Sequence, residues 1–550
     1  MYAAGTSGYG TGATSLLSGG GSVVTDAKGN FSISGNYSCP SSNAQIYLIA
    51  KGGNAGSGDN NQAVLMSALG SCGSLDPTAS FNVNEVTTVA AAYALSQFMT
   101  PGSTAVGTSS TNTTGLVNAF QTAANLVDVS AGTARTITPG GNGIVPQTTI
   151  NTLADILAAC VDTSAGACAT FFAAATPGGG TAPADTLAAI LDIALNPGHN
   201  VAKLYSITSA AAPFRPSLAG APNDWTLSVE YTGGGLNYGQ LLAIDAHGNV
   251  WIPNATDPGT ISEFGPTGDA LSPKTGFNGG GLSYPQALAI DLSGNVWAAN
   301  EGNDSVSEHT SGGTPLSGSG FTVQGLHKPY AIAIDGSGNV FTANGNNSVT
   351  KLNNAGTSVA QFVNGGLDSP FAIAVDSSQN IWVANSGASN SISRFSNSGT
   401  AASLTGFTGG GIHEAVGVAL DANNNTWVAN FGASSASEFK STGSPLSGGS
   451  GYSTPAAVSA VAVDGNNTIW TANSDGSISH LASNGSAISP STGYVSAGAT
   501  GEVGIAIDAS GNIWTTDNYV NSIFEYVGAA SPAVVPLQQA VKNNQIGQRP

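Results

Sequence analysis

One phrase returns again and again through the second half of the chain, and it restricts the fold more than any other feature. Its clearest copy is Ala374-Val375-Asp376-Ser377-Ser378-Gln379-Asn380-Ile381-Trp382-Val383-Ala384-Asn385. An apolar run ends in Asp, a polar turn follows, and an apolar run with an aromatic comes back. The leading Asp recurs at Asp245, Asp291, Asp335, Asp376, Asp421, Asp464 and Asp508, in steps of 46, 44, 41, 45, 43 and 44 residues. Six residues after each stands an aromatic: Trp251, Trp297, Phe341, Trp382, Trp427, Trp470 and Trp514. A fixed period in this range is the signature of a repeat architecture.

Each copy reads as a β-hairpin. The Asp side chain is placed to accept hydrogen bonds from amides of the turn ahead of it. The slot three residues on holds Gly248, Gly294, Gly338, Asn424, Asn467 and Gly511. Gly and Asn reach the left-handed region at low cost. Gln379 breaks that rule. A run such as Ser391-Ile392-Ser393-Arg394-Phe395 alternates as a third strand, and Leu404-Thr405-Gly406-Phe407 supplies a fourth. Four strands per period, repeated radially, make a propeller blade. The last copy lacks a fourth strand, and Trp225–Tyr231, before the first copy, can provide it and hide two sheet edges. The expected architecture is mainly β: a seven-bladed β-propeller over residues 225–528, preceded by a small β-sandwich-like domain and a helical segment.

These copies resemble the NHL repeat and, more loosely, the propellers of virginiamycin B lyase and the gluconolactonases. That family usually closes its second strand with Asp, whereas this chain has Asn300, Asn344, Asn385, Asn430 and Asn473, with Asp517 matching. The resemblance implies a propeller. It leaves function open, because such propellers bind proteins, RNA or sugars, or act as enzymes.

Residues 1–83 read as β. Ser22-Val23-Val24-Thr25 leads to a turn at Asp26, and Phe31-Ser32-Ile33-Ser34 alternates after it. The Thr-Asp-x-x-Gly-x-Phe stretch resembles a transthyretin-like or carboxypeptidase-regulatory-like β-sandwich of secreted bacterial proteins, whose first strand would precede this region. A truncated domain and a missing signal peptide are therefore expected. Residues 84–210 carry helical periodicity, with Asn84 as a cap and a capping box at Thr152 and Asp155. Residues 211–224 read as a Pro-rich linker, and 529–550 as a polar tail, extended or docked beside a blade.

The net charge is −19, with only 12 Lys and Arg. A nucleic-acid partner is not expected of such a chain. No apolar run is long enough for a transmembrane segment. Four cysteines allow three pairings, and Cys39–Cys72 with Cys160–Cys168 is the simplest. Disulfides and an Asn-rich, charge-poor surface fit an extracellular, periplasmic or cell-surface setting.

No assembled catalytic set is visible. Glu263, Glu308, Glu438 and Glu525 share one third-strand slot with Lys351, Arg394 and His480, which reads as a solvated strand face. Asp421-Ala422-Asn423-Asn424-Asn425 starts like a calcium loop, but Thr426 and Gly432 stand where that loop needs Gly and Glu. Variation gathers eight and seven residues before each Asp, the expected rim of the central funnel. Tyr238, Tyr284, His327, Lys328, Asp368, His413 and Glu414 are the candidate ligand-binding residues there. His327, Asp368 and His413 are the candidate ligands of a divalent metal, the one cofactor considered. The expected function is a secreted or surface binding protein taking a carbohydrate, peptide or protein at the propeller mouth. The alternatives are a metal-dependent lyase or lactonase and a structural envelope or matrix protein.

Overall fold

The computed structural model describes every residue except 34–36, 55–57, 77, 163–167 and 209–211. The chain divides into two compact units, Met1–Val229 with Val527–Ala529, and Glu230–Tyr526 with Ala530–Pro550.

In the first unit an antiparallel sheet runs in the order Thr14–Ser15, Tyr2–Ala3, Gln45–Lys51, Val64–Ser71. The helix Glu85–Ala94 is buried along its whole length, as its run of small and apolar residues allows. Asn84 and Thr87 form a capping box at its start. Thr88 and Thr87 hydroxyls meet the amide and carbonyl of Met66 at 2.9 Å each, joining helix to sheet. Helices Thr113–Leu126, Gln147–Val161, Cys168–Ala175, Thr186–Leu195 and Val201–Tyr205 complete the unit. The disulfides Cys39–Cys72 and Cys160–Cys168 are both formed. Among the described residues no helix is long and apolar enough to cross a membrane.

Two local expectations fail here. The Asp26 turn forms, with the amides of Lys28 and Asn30 on its carboxylate, but residues 22–33 are not strands and Ser34 lies outside the described residues. The turn motif is satisfied locally and needs no flanking ladder. Thr152 and Asp155 do not cap a helix. The helix begins five residues earlier, at Gln147, so both lie inside it. The Thr152 hydroxyl returns to the Thr148 carbonyl at 2.7 Å, and buried Asp155 accepts from the Phe214 amide at 2.9 Å. That bond and the one from the Leu218 amide to the Thr152 hydroxyl pin the Pro-rich stretch onto this helix.

The second unit is a β-propeller. Small antiparallel sheets of one build follow each other, for example Pro370–Val375, Ile381–Asn385, Ser391–Phe395 and Phe407–Thr408. The three residues before each turn Asp, such as Ile373-Ala374-Val375, line a common channel. The residue four before the Asp is small in six copies: Ala287, Ala331, Ala372, Gly417, Ala460 and Gly504. Neighbouring first strands force this. A Cβ on Gly504 would stand 3.1 Å from the Gln240 carbonyl oxygen.

Each second-strand aromatic is buried and packs on an aromatic of the outermost strand, as Trp251 does on Phe277 at 5.9 Å and Trp297 on Phe321 at 5.7 Å. The last sheet obeys the same rule with a residue from the other end of the sequence. Tyr231 stacks on Trp514 at 5.8 Å, and its hydroxyl donates to Glu525 Oε2 at 2.7 Å. The ring is thus closed by residues from before its first copy.

The tail is neither extended nor laid beside a blade. Leu537–Asn543 is a helix at the Asp-turn end of the channel, with Val541 and Ile546 buried among first-strand residues such as Ala374 and Val375. Gln538 clamps it in place. Its Oε1 accepts from the Leu292 amide at 2.7 Å, and its Nε2 donates to the Asp335 carbonyl at 2.9 Å.

Candidate functional site

The rim begins with the backbone. Tyr238, Tyr284, Lys328, Ser369 and Glu414, equivalent in five successive copies, all have φ between 43° and 58° or closely so: 56°, 45°, 46°, 51° and 49°. Such conformations are uncommon for residues with a Cβ and must be held by neighbours. The preceding blade holds four of them. The amides of Tyr238, Lys328, Ser369 and Glu414 donate to side-chain oxygens of Asn521, Asp304, Asn347 and Asn390, at 2.6, 2.8, 2.7 and 3.0 Å. The amide before each rests on the Asn that ends the second strand, as Asp368 N does on Asn385 Oδ1 at 3.2 Å and His413 N on Asn430 Oδ1 at 3.3 Å.

This anchoring decides what the predicted rim residues do. Tyr238 and Tyr284 are exposed, at 51% and 44%. His327 turns to Asp304, with Nδ1 3.3 Å from Oδ2, and Lys328 to Glu301 at 3.8 Å. The Asp368 carboxylate accepts from the Ser389 amide at 2.8 Å, and His413 packs on Gly432. His327 and Lys328 thus reach the preceding blade, while Asp368 and His413 are engaged within their own. Among the described residues no three His, Cys, Asp or Glu side chains come together as a metal-holding group, so His327, Asp368 and His413 are not gathered into one.

The mouth itself is built two or three residues further along. Position minus five from the Asp holds Gln240, Gln286, Tyr330, Phe371, Val416, Ser459 and Val503, and all seven line one cavity of about 370 Å³. In the last six sheets this residue is the extra one in a β-bulge, as at Pro285/Ala287 and Pro370/Ala372. A bulge re-aims a side chain out of the regular alternation. Tyr330 and Phe371 stack face to face there, 5.4 Å apart and 17° from parallel. Phe431 and Tyr519, exposed at 48% and 77%, stand beside them. Gln286 is oriented by Glu301, which accepts from its amide at 2.9 Å. Burial raises the Tyr330 hydroxyl's pKa, and the Glu301 charge adds to the rise.

Glu502 borders the same cavity and is itself buried. The equivalent residue elsewhere is Gly239, Pro285, Pro329, Pro370, Ala415 or Val458. Burial pushes its pKa up to about 8, eased by the hydroxyls of Thr515 and Tyr526 and reinforced by Asp517.

The signal for the mouth was present in the sequence. First strands are small and aliphatic except at this one position, where Gln, Tyr, Phe and Ser intrude. Missing it follows from the bulge, which a strict two-residue alternation does not anticipate.

The third-strand slot is a second correction. It is not a solvated face: Glu263, Glu308, Glu438 and Glu525 are buried. Register places the slot directly against the second-strand aromatic, as in Trp251–Glu263 and Trp382–Arg394. Each Glu accepts from the Asn four residues past the turn Asp, Glu525 from Asn512 at 2.8 Å and Glu263 from Asn249 at 3.0 Å. Burial and the Asp245 charge push Glu263 up to about 7. Where the slot is basic it lies on the ring instead: Lys351 Nζ is 5.3 Å from the Phe341 centroid and Arg394 5.4 Å from that of Trp382. His480 stacks on Trp470 at 3.9 Å. Both signs are accepted because an aromatic face and an amide can each satisfy one of them.

No protein-family model and no curated protein matches the chain. Among solved structures, virginiamycin B lyase from Staphylococcus aureus is similar at 17% identity and a TM-score of 0.46, covering 54% of this chain and 98% of that one. A streptogramin B lyase structure is similar at 17% identity and a TM-score of 0.45, covering 54% and 93%. The WD40 repeats of RRP9 are similar at 14% identity and a TM-score of 0.42, covering 52% and 93%.

Proposed function

We propose that this chain is a secreted or cell-surface binding protein whose propeller, closed from seven NHL-like blades, holds a neutral carbohydrate at its mouth. The stacked pair Tyr330–Phe371 carries this reading. A flat aromatic surface suits the apolar face of a sugar ring, and polar groups fixed around it suit the hydroxyls. Gln240, Gln286, Ser459, Ser474 and Asn518 supply those groups from the cavity wall. Glu502, the one carboxyl among the lining residues, is buried with its pKa pushed up to about 8, so its neutral form predominates at neutral pH, which suits an uncharged ligand. The exposed Tyr238 and Tyr284 extend the aromatic surface outward. The two disulfides favour an oxidising compartment, with the first unit as the anchor or spacer.

The test is a glycan array of neutral gluco-, manno- and galacto-oligosaccharides, followed by calorimetry. Tyr330→Ala and Phe371→Ala should each weaken the best hit at least tenfold. A parent protein that binds none of these sugars above background would end the carbohydrate reading.

A further inference from the structure

Below the mouth the channel is not filled. A cavity of about 250 Å³ lies between the first strands and the C-terminal tail. Its walls are Leu, Ile, Val and Ala side chains of every first strand, among them Leu288, Ile332, Ile373, Val461 and Ile505. No aromatic and no charged side chain borders it. The tail leaves the space open by its own sequence: Ala533, Ala540 and Gly547 are the small residues it turns towards this cavity. A dry engineered cavity of ~150 Å³ with comparable lining takes up benzene, so this one has room for a longer apolar group.

We infer that the propeller channel is a binding site for the alkyl chain of an uncharged amphiphile, entered at the mouth with the polar end left there. The lining argues for a chain: it takes in three successive positions of every first strand, as in Leu288–Ile290 and Ile373–Val375, together with residues of the tail. The mouth argues for the neutral polar end, since Gln240, Gln286 and Ser459 stand at the last ring before solvent. The polar side chains on the lining, Gln538, Gln545 and Gln548, all belong to the tail, and each already bonds elsewhere in the protein, so a water here would gain few of the two to four partners it needs. This site does not depend on the sugar reading, and the two can fail separately.

The probe is 1-octanol, titrated into the full-length chain with methyl-labelled Ile. Saturable one-to-one binding is expected, with intermolecular NOEs from the octanol chain to the methyl groups of Ile332, Ile373 and Ile505. Octane-1,8-diol should bind at least tenfold more weakly, since its second hydroxyl would be buried without a partner. Ile373→Phe should weaken octanol at least tenfold while leaving any sugar binding at the mouth within twofold. Val461→Met is the milder channel-filling variant should Ile373→Phe not fold. Absence of saturable binding would overturn the site. So would equal affinity for the diol, undiminished binding in a folded channel variant, or NOEs confined to an exposed Ile such as Ile488.

Discussion

At the scale of single residues, the buried carboxyls set the response to pH. Glu263 is pushed up to about 7 from an ordinary 4.5, Glu502 to about 8 and Glu85 to about 7, in each case chiefly by burial. Asp192 and Asp508 reach about 6 for the same reason. Between the ordinary and the raised values the folded chain binds more protons than the unfolded one, so stability falls as pH rises through that window. His309 and His480 act in the opposite sense. Burial lowers both to about 4 from 6.5, so their contribution is lost as pH falls below 6.5. The melting temperature should therefore climb as pH falls from 8.5 to 6.5, because the raised acids outnumber the one group shifted the other way there, the buried N-terminal amine, and level off below. Glu263→Gln should raise it by on the order of 2 °C at pH 8 and leave it unchanged at pH 5, since Gln keeps the size without the charge. Calorimetric scans across this pH range check both. None of this was legible in the third-strand slot, because its occupants carry both signs and only the cross-strand aromatic shows that they are buried. Gln379 was equally opaque. It takes the left-handed turn position at φ 65°, and its Oε1 accepts from the Gly336 amide of the preceding blade at 2.8 Å. Asn424 and Asn467 do the same for Ser377 and Ala422. The slot selects a side-chain oxygen that reaches backwards, as well as a backbone that tolerates the turn.

At the scale of the strand and its turns, the Asn ending each second strand explains a departure from the NHL pattern. Asn430 Nδ2 donates to Ser435 at 3.1 Å and to Ser437 at 2.9 Å, while its Oδ1 accepts from the His413 amide on the rim of its own blade. An Asp offers no donor for that pair. The copy that does carry Asp517 has Phe524 where the second Ser would stand, and its carboxylate accepts from the amides of Thr500, Gly501 and Tyr519 instead. Asn430→Ala should cost about 1–3 kcal/mol in urea unfolding, because it strands buried polar partners. A loss below a few tenths would show that those groups find other partners. Strands, turns and the period were all readable, since each rests on a local rule: Asp to turn amides, a left-handed third residue, an aromatic six on. The capping of one blade's rim by the preceding blade was not, because its partners lie some 22 to 24 residues apart and share no local pattern.

At the scale of the whole chain, the stabilising devices are segregated. Both disulfides lie in the unit made of Met1–Val229 and Val527–Ala529, and the channel helix lies in the other. Six of the seven tryptophans, all but Trp225, belong to the propeller unit, so tryptophan fluorescence reports on it. The longer helices lie in the first unit, so ellipticity at the helix band reports mainly on that one. A disulfide contributes about 2–4 kcal/mol by restricting the unfolded chain. Dithiothreitol should therefore lower the helical transition and leave the tryptophan transition in place. Ending the chain at Ser531 should do the reverse. It removes Val541 and Ile546 from burial and the Gln538 clamp from Leu292 and Asp335. At roughly 1.5–3 kcal/mol for each large apolar side chain withdrawn from water, the two together amount to roughly 3–6 kcal/mol. That loss should appear as an earlier fluorescence transition with the helical one unmoved. If reductant and truncation instead shifted both signals together, the two units would not unfold independently.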